Sequence, residues 1–151
     1  MPKEAYRLLQ EVNQKIIQMR SVYSEWSKRN GLSYHKLLVY YTLYHDPECT
    51  QAKICNQYFL PKQTVHSIVT AMQREGLVTL EPSASSGREK RIVLTDWGRE
   101  KMLEVMEPIT KWELQAIAQM GPQRVEEMVS LMTAYHQQMD RNLNGEDGES
   151  R

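Results

Sequence analysis

The pattern that most constrains this chain is a stripe of apolar residues at its N-terminal end, Ala5, Leu9, Val12, Ile16, Met19, Tyr23 and Trp26, spaced alternately four and three apart. That spacing returns each side chain to one side of an α-helix and makes a heptad-like seam. The seam runs for about 30 Å at 1.5 Å per residue, the width of a small domain, so it demands a long helical surface to cover it. Asn30-Gly31-Leu32-Ser33 then stops the helix and offers Ser33 as the next N-cap.

Further helices follow from the same signals. One is predicted over Tyr34–Tyr44, ending before His45-Asp46-Pro47, and a short one capped by Thr50 over Gln51–Tyr58, with Ile54, Tyr58 and Cys55 facing inward. Leu60-Pro61 opens a fourth, with proline at the first helical position, an apolar side made of Val65, Ile68, Val69 and Met72, and a stop at Gly76. The period then changes to that of strands. Leu77–Leu80 and Arg91–Thr95 flank the turn-rich stretch Pro82–Gly87, which reads as a β-hairpin with a flexible tip. Thr95-Asp96 caps a fifth helix from Trp97, carrying Met102, Val105, Ile109 and Trp112, with Pro108 as an expected kink. After Gly121-Pro122 a last helix aligns Val125, Met128, Met132, Tyr135 and Met139, and residues 145–151 read as a disordered tail.

At 151 residues the chain is the size of one ordinary domain, and no uncharged apolar run reaches the length of a membrane span. Two cysteines, Cys49 and Cys55, do not make a secreted disulfide framework, so a soluble cytoplasmic protein with no membrane partner is expected. Nineteen basic and nineteen acidic residues cancel, yet the acidic excess lies in residues 99–151, with ten acidic against six basic, leaving the rest mildly basic.

Two short helices joined by a tight turn, then a strand, a Ser/Gly-rich loop and a second strand, compose a winged helix-turn-helix. A helix can enter a major groove only if its outward side is free of bulky apolar groups and carries polar side chains that reach base edges. With Val65, Ile68, Val69 and Met72 turned inward, the fourth helix offers Gln63, His66, Ser67, Thr70 and Arg74, flanked by Lys62 and Thr64. No carboxylate lies between Glu48 and Glu75, so nothing on that helix repels phosphate. Arg88, Lys90 and Arg91 give the wing the composition of a loop that reaches phosphates or a minor groove. The fold class is therefore mainly α with a small β-hairpin wing. Residues 31–98 form the winged helix-turn-helix, and 1–30 with 99–144 a helical dimerisation region.

Gly31-Leu32-Ser33, Leu60-Pro61-Lys62-Gln63-Thr64-Val65, Met72-Gln73-Arg74-Glu75-Gly76-Leu77-Val78, and Arg88 six positions before Leu94-Thr95-Asp96-Trp97-Gly98 resemble, in order and spacing, the multiple-antibiotic-resistance regulator (MarR) family. The resemblance implies a homodimer interlocked through the first, fifth and sixth helices. The fourth helix of each subunit would lie in a major groove and the wing in the flanking minor groove of double-stranded DNA. It also implies a transcriptional regulator, typically a repressor, that releases DNA when a small phenolic or other ligand, or an oxidant, acts on the dimer; a pseudo-palindromic operator and a small aromatic effector are the expectation for this chain. The family's wing carries Asp-any-Arg, where this chain reads Ser86-Gly87-Arg88; the arginine is kept, the carboxylate is not, and Glu89 is its candidate substitute.

Other readings carry less. Trp26, Tyr40 and Tyr44 are the candidates for an effector cleft, with apolar walls and a few hydroxyls suited to a planar aromatic. Cys49 and Cys55 invite a redox-sensor reading, but Cys55 faces inward and Asp46 and Glu48 near Cys49 would raise its pKa. His45, Cys49, Cys55 and His66 match no compact metal-ligand spacing, so no metal or cofactor is expected. A winged helix serving only as a protein–protein interaction module is the alternative reading. An enzyme is not expected, for want of a phosphate loop or a nucleophile–base pair at a recognisable spacing.

Overall fold

A computed structural model describes residues 3–83 and 86–146. The order is α1 (Lys3–Arg29), α2 (Tyr34–His45), α3 (Gln51–Tyr58), α4 (Lys62–Arg74), β1 (Val78–Ser83), β2 (Ser86–Leu94), α5 (Asp96–Met120) and α6 (Pro122–Glu146). The chain divides between Met106 and Glu107 into two compact units.

The first unit holds α1, the winged helix and the start of α5. Its short helices begin where the caps predict: the Ser33 hydroxyl oxygen accepts from the Lys36 amide at 3.1 Å and the Thr50 hydroxyl oxygen from the Lys53 amide at 3.2 Å. Each satisfies one of the donors a helix start leaves open, which contributes about 1 kcal/mol. Pro61 sits one place earlier than expected, as the residue before α4 rather than its first turn, with φ −58° and extended ψ. Its fixed φ suits that place, and α4 starts without a side-chain cap.

Three helices of this unit end alike. After α1, Gly31 is left-handed (φ 67°), the Gly31 amide donates to Lys28 O and the Leu32 amide to Ser27 O. After α4, Gly76 (φ 70°) does the same with Gln73 O and Met72 O. After α3 the left-handed residue is Phe59 (φ 52°), and the Leu60 amide donates to Cys55 O at 3.1 Å. Returning amides of this kind satisfy carbonyls that the last turn leaves open.

The core lies where α2, α3, α4 and the hairpin meet. Leu37, Val39 and Leu43 of α2, Ile54 of α3, and Val65, Val69 and Met72 of α4 are buried, and Leu77, Val78 and Ile92 close it from the hairpin side. Each such side chain stabilises the fold by about 1.5–3 kcal/mol. Ile68, expected with this set, is half-buried. On the α1 seam Trp26 is anchored by its indole N–H, which donates to Val105 O at 3.0 Å. Leu9, Ile16 and Met19 of the same seam are exposed, at 46%, 52% and 59%.

The hairpin is longer than its sequence suggests. β1 and β2 pair antiparallel from Val78↔Leu94 through Glu81↔Arg91 and Pro82↔Lys90, with an irregularity between Pro82 and Ser83. The predicted loop Pro82–Gly87 is thus largely strand. Proline is tolerated because β1 is an edge strand, and Glu81 opposite Arg91 forms a cross-strand ion pair that favours continued pairing. Of that expected tip, Ala84 and Ser85 lie outside the described residues. On its other side β2 meets Thr50 at a single bridge, with the Ile92 amide donating to Cys49 O at 2.8 Å.

In the second unit the later part of α5 and α6 are separated by Gly121 (φ 89°). Trp112, Met128, Met132, Tyr135 and Met139 are exposed. α6 continues two residues into the segment 145–151 read as a tail, and residues 147–151 lie outside the described residues. Among the described residues no helix is long and apolar enough to cross a membrane.

Candidate nucleic-acid interface

α4 has one side fixed and one offered. Val65, Val69 and Met72 anchor it in the core. Lys62, Gln63, His66, Ser67 and Arg74 are exposed and Thr64 and Thr70 half-buried. Residues 63, 66, 67, 70 and 74 recur at three- and four-residue steps, so they share one side of the helix. The Ser67 hydroxyl donates to Gln63 O at 2.8 Å, which leaves its oxygen to accept. Gln63 carries an amide that can pair bidentately with adenine, and Lys62 and Arg74 carry cations at the two ends of the helix. The first carboxylate after this run, Glu75, is engaged by Lys36 Nζ at 2.7 Å, so its charge is compensated.

In the wing, Lys90 is exposed, while the side chain of Arg88 lies outside the described residues. Arg91 departs from the expected role. Its Nη1 meets Glu48 and its Nη2 meets Glu81 Oε2 at 2.8 Å, so one guanidinium bridges the α2–α3 loop and β1. With two carboxylates on its fork, Arg91 braces the base of the wing and does not project a free charge. Sequence reasoning missed Glu48 and Glu81 because their meeting depends on a hairpin register that the Ser/Gly-rich stretch obscured.

The wing is joined to α4 through Thr95. The Thr95 hydroxyl donates to Gly76 O at 2.7 Å and accepts from the Gly98 amide at 2.9 Å, while the Thr95 amide donates to Leu77 O at 3.0 Å. Gly98 must be glycine, because a Cβ there would stand 2.7 Å from the Leu77 carbonyl carbon and nearer still to its oxygen. Gly76-Leu77 and Thr95–Gly98 are therefore two halves of one joint that sets the wing against the end of α4.

The candidate cleft residues have separate settings. Trp26 is tied to Val105 O. Tyr40 is buried, which with the charges of Glu75 and Glu104 pushes its hydroxyl up to about 12. Tyr44 is half-buried and edge-on to His45, with ring centroids 5.1 Å apart. Cys49 is fully buried, and burial first, then the Asp46 carboxylate, push its thiol up to about 12. A thiol so placed is protonated and shielded, the opposite of a redox sensor's. Cys55 is buried as well. Asp46 is itself held below the usual carboxylate range, foremost by Lys53 and also by the Glu48 amide. Among the described residues, no three of His, Cys, Asp and Glu gather as a metal site would require.

Residues 30–89 match the model of the MarR family. Comparison with curated proteins finds no match. Among solved structures, a MarR-family regulator from Neisseria meningitidis superposes with a TM-score of 0.81 at 22% identity, over 92% of this chain and 98% of that one. The transcriptional regulator BldR from Sulfolobus solfataricus gives 0.66 at 20%, over 91% and 99%. MarR from Staphylococcus aureus, in complex with salicylate and kanamycin, gives 0.65 at 19%, over 91% and 96%. Residues 30–89 thus match the MarR-family model, and the chain shares the winged-helix fold seen in solved MarR-family regulators.

Proposed function

We propose that this chain is a sequence-specific DNA-binding regulator, a repressor that holds a pseudo-palindromic operator as a homodimer and responds to a small aromatic ligand. The observation that carries the reading is α4, whose apolar side is locked in the core and whose polar side is exposed and free of carboxylates. Gln63, Thr64, His66, Ser67 and Thr70 would read base edges. Lys62, Arg74, Arg88 and Lys90 would hold phosphates, with Arg91 supporting the wing from behind. Homodimerisation is supported by the exposed part of the α1 seam and by Met128, Met132, Tyr135 and Met139 of α6, apolar surface that a second copy would cover. Responsiveness to an aromatic is supported by the salicylate held by the Staphylococcus aureus structure and by the aromatic side chains Trp26, Tyr40 and Tyr44.

The test is a fluorescence-anisotropy titration of the full chain against a labelled duplex from upstream of its own coding region, at several salt concentrations, with and without salicylate. The expected result is saturable binding that weakens steeply with salt, exceeds binding to random duplex, and is reduced by salicylate. Arg88→Ala should weaken binding to both duplexes and reduce the salt slope by about 1, whereas Gln63→Ala should alter the preference between them. No binding to any duplex, with a protein partner retained instead, would replace the reading with that of an interaction module.

A further inference from the structure

The turn between α3 and α4 contains a residue whose conformation and exposure are both unfavourable. Phe59 takes the left-handed conformation (φ 52°, ψ 38°) and its side chain is 83% exposed. Left-handed backbone brings a Cβ too close to the following carbonyl, a cost of about 1–2 kcal/mol that glycine escapes. In the two corresponding places in this unit, after α1 and after α4, the chain has glycine, Gly31 and Gly76, and in each the next residue's amide returns to the carbonyl five residues back, as the Leu60 amide does to Cys55 O. Among the described residues, only the helix-turn-helix turn puts a large apolar side chain on left-handed backbone, and that side chain is held mostly in water. An exposed aromatic alone is ordinary; one that also forgoes the glycine used elsewhere for the same job points to a use outside the fold.

Its position says what that use is. Phe59 stands three residues before Lys62, at the end of α4 from which Gln63 and Ser67 are offered, and the chain from Cys49 to Arg74 holds no carboxylate. We infer that Phe59 is a third contact of the winged helix with DNA, alongside α4 and the wing: an apolar contact in which the ring covers a thymine methyl or the deoxyribose beside it. Thymine's C5-methyl is the one apolar group on a major-groove edge, and a phenyl ring is among the side chains that read it. The left-handed turn leaves the ring largely exposed just before the start of α4. This inference rests on the DNA-binding reading proposed above, and adds an apolar preference to a surface otherwise made of polar and cationic groups.

The test uses the full chain as wild type, Phe59→Gly and Phe59→Asn, since both replacements tolerate the left-handed backbone. Each is titrated against the upstream duplex and against the same duplex synthesised with uracil for thymine, beside a thermal melt without DNA and a mass by light scattering. The expected result is a Tm equal to or above that of wild type, an unchanged mass, and an affinity about tenfold weaker. A wild-type loss of about fourfold per contacted methyl on the uracil duplex, absent in Phe59→Gly, assigns the contact to thymine; no uracil effect assigns it to the sugar. Affinity unchanged in both variants overturns the inference while leaving the DNA-binding reading intact, as does an affinity loss that tracks a changed mass. A wild-type chain that binds no duplex removes both.

Discussion

Replacing Gly98 by alanine sets two physical effects against each other. On helix propensity alone the change is favourable, because alanine in a helix is better than glycine by about 1 kcal/mol. The surroundings of Gly98 reverse the sign. The new Cβ would lie 2.7 Å from the Leu77 carbonyl carbon and 3.0 Å from its Cα, and these are backbone atoms that no rotamer change can move. The Cβ would crowd the Leu77 carbonyl oxygen most of all, so the start of α5 and the Gly76-Leu77 turn must separate by about 1.5 Å to restore ordinary contact. That displacement stretches three bonds at once: Thr95 amide to Leu77 O, Thr95 hydroxyl to Gly76 O, and Gly98 amide to the Thr95 hydroxyl. At about 1 kcal/mol each, the last also being the N-cap of α5, their loss exceeds the propensity gain by about 2 kcal/mol. For a chain of this size that is a fall in Tm of about 4–8 °C. Urea denaturation should show a lower midpoint with an unchanged slope. A Gly98→Ala protein as stable as wild type, or more stable, would refute the reasoning, because it would mean the joint gives way without loss.

Other outcomes follow from the same structure. Arg91→Met should free the base of the wing, so the Ile92 amide, bonded to Cys49 O, exchanges with deuterium several times faster while the amides of α4 keep their protection; equal exchange at Ile92 would mean the brace is dispensable. Cys49 should resist iodoacetamide in the native chain and react only in urea, and Cys49→Ser should leave any DNA binding as insensitive to peroxide as wild type; rapid native labelling would contradict the burial that raises its thiol. The Asp46 carboxyl titrates lower in the folded chain than in the unfolded one, so its stabilising effect is present above the unfolded value and is lost as pH falls through the folded one. The stability gap between wild type and Asp46→Asn should therefore shrink as pH drops below about 4, and a gap constant down to about pH 2 would show that the Lys53 contact does not act through the carboxylate's charge.

What the sequence made legible was whatever is decided locally. Ser33, Thr50 and Thr95 announce helix starts because a hydroxyl oxygen caps its own neighbourhood, and Val65, Val69 and Met72 announce the buried side of α4 because helical spacing alone lines them up. Contacts that depend on register or on the third dimension were not legible. Arg91 looks like any wing cation until Glu81 is known to lie opposite it and Glu48 to reach it from the α2–α3 loop. Pro82 and the serines around it signal a loop, yet β1 runs through Ser83, because an edge strand does not need the amide that proline lacks. Phe59 hides for a different reason: a left-handed residue is foreseen from glycine or asparagine, and nothing in the letters Tyr-Phe-Leu-Pro says that phenylalanine takes that conformation.

The outward side of α4 carries the account, and a single carboxylate placed on it tests the account most directly. Ser67 is exposed and its hydroxyl bonds only to Gln63 O of its own helix among the described contacts, so Ser67→Glu can be introduced without disturbing the core. If this side meets a duplex, the variant should melt as wild type does and lose affinity for DNA by about a hundredfold or more, because the new charge faces phosphate and base-edge acceptors at close range. A Ser67→Glu chain that folds normally and binds the duplex as tightly as wild type would mean that DNA, if bound, lies elsewhere on the molecule.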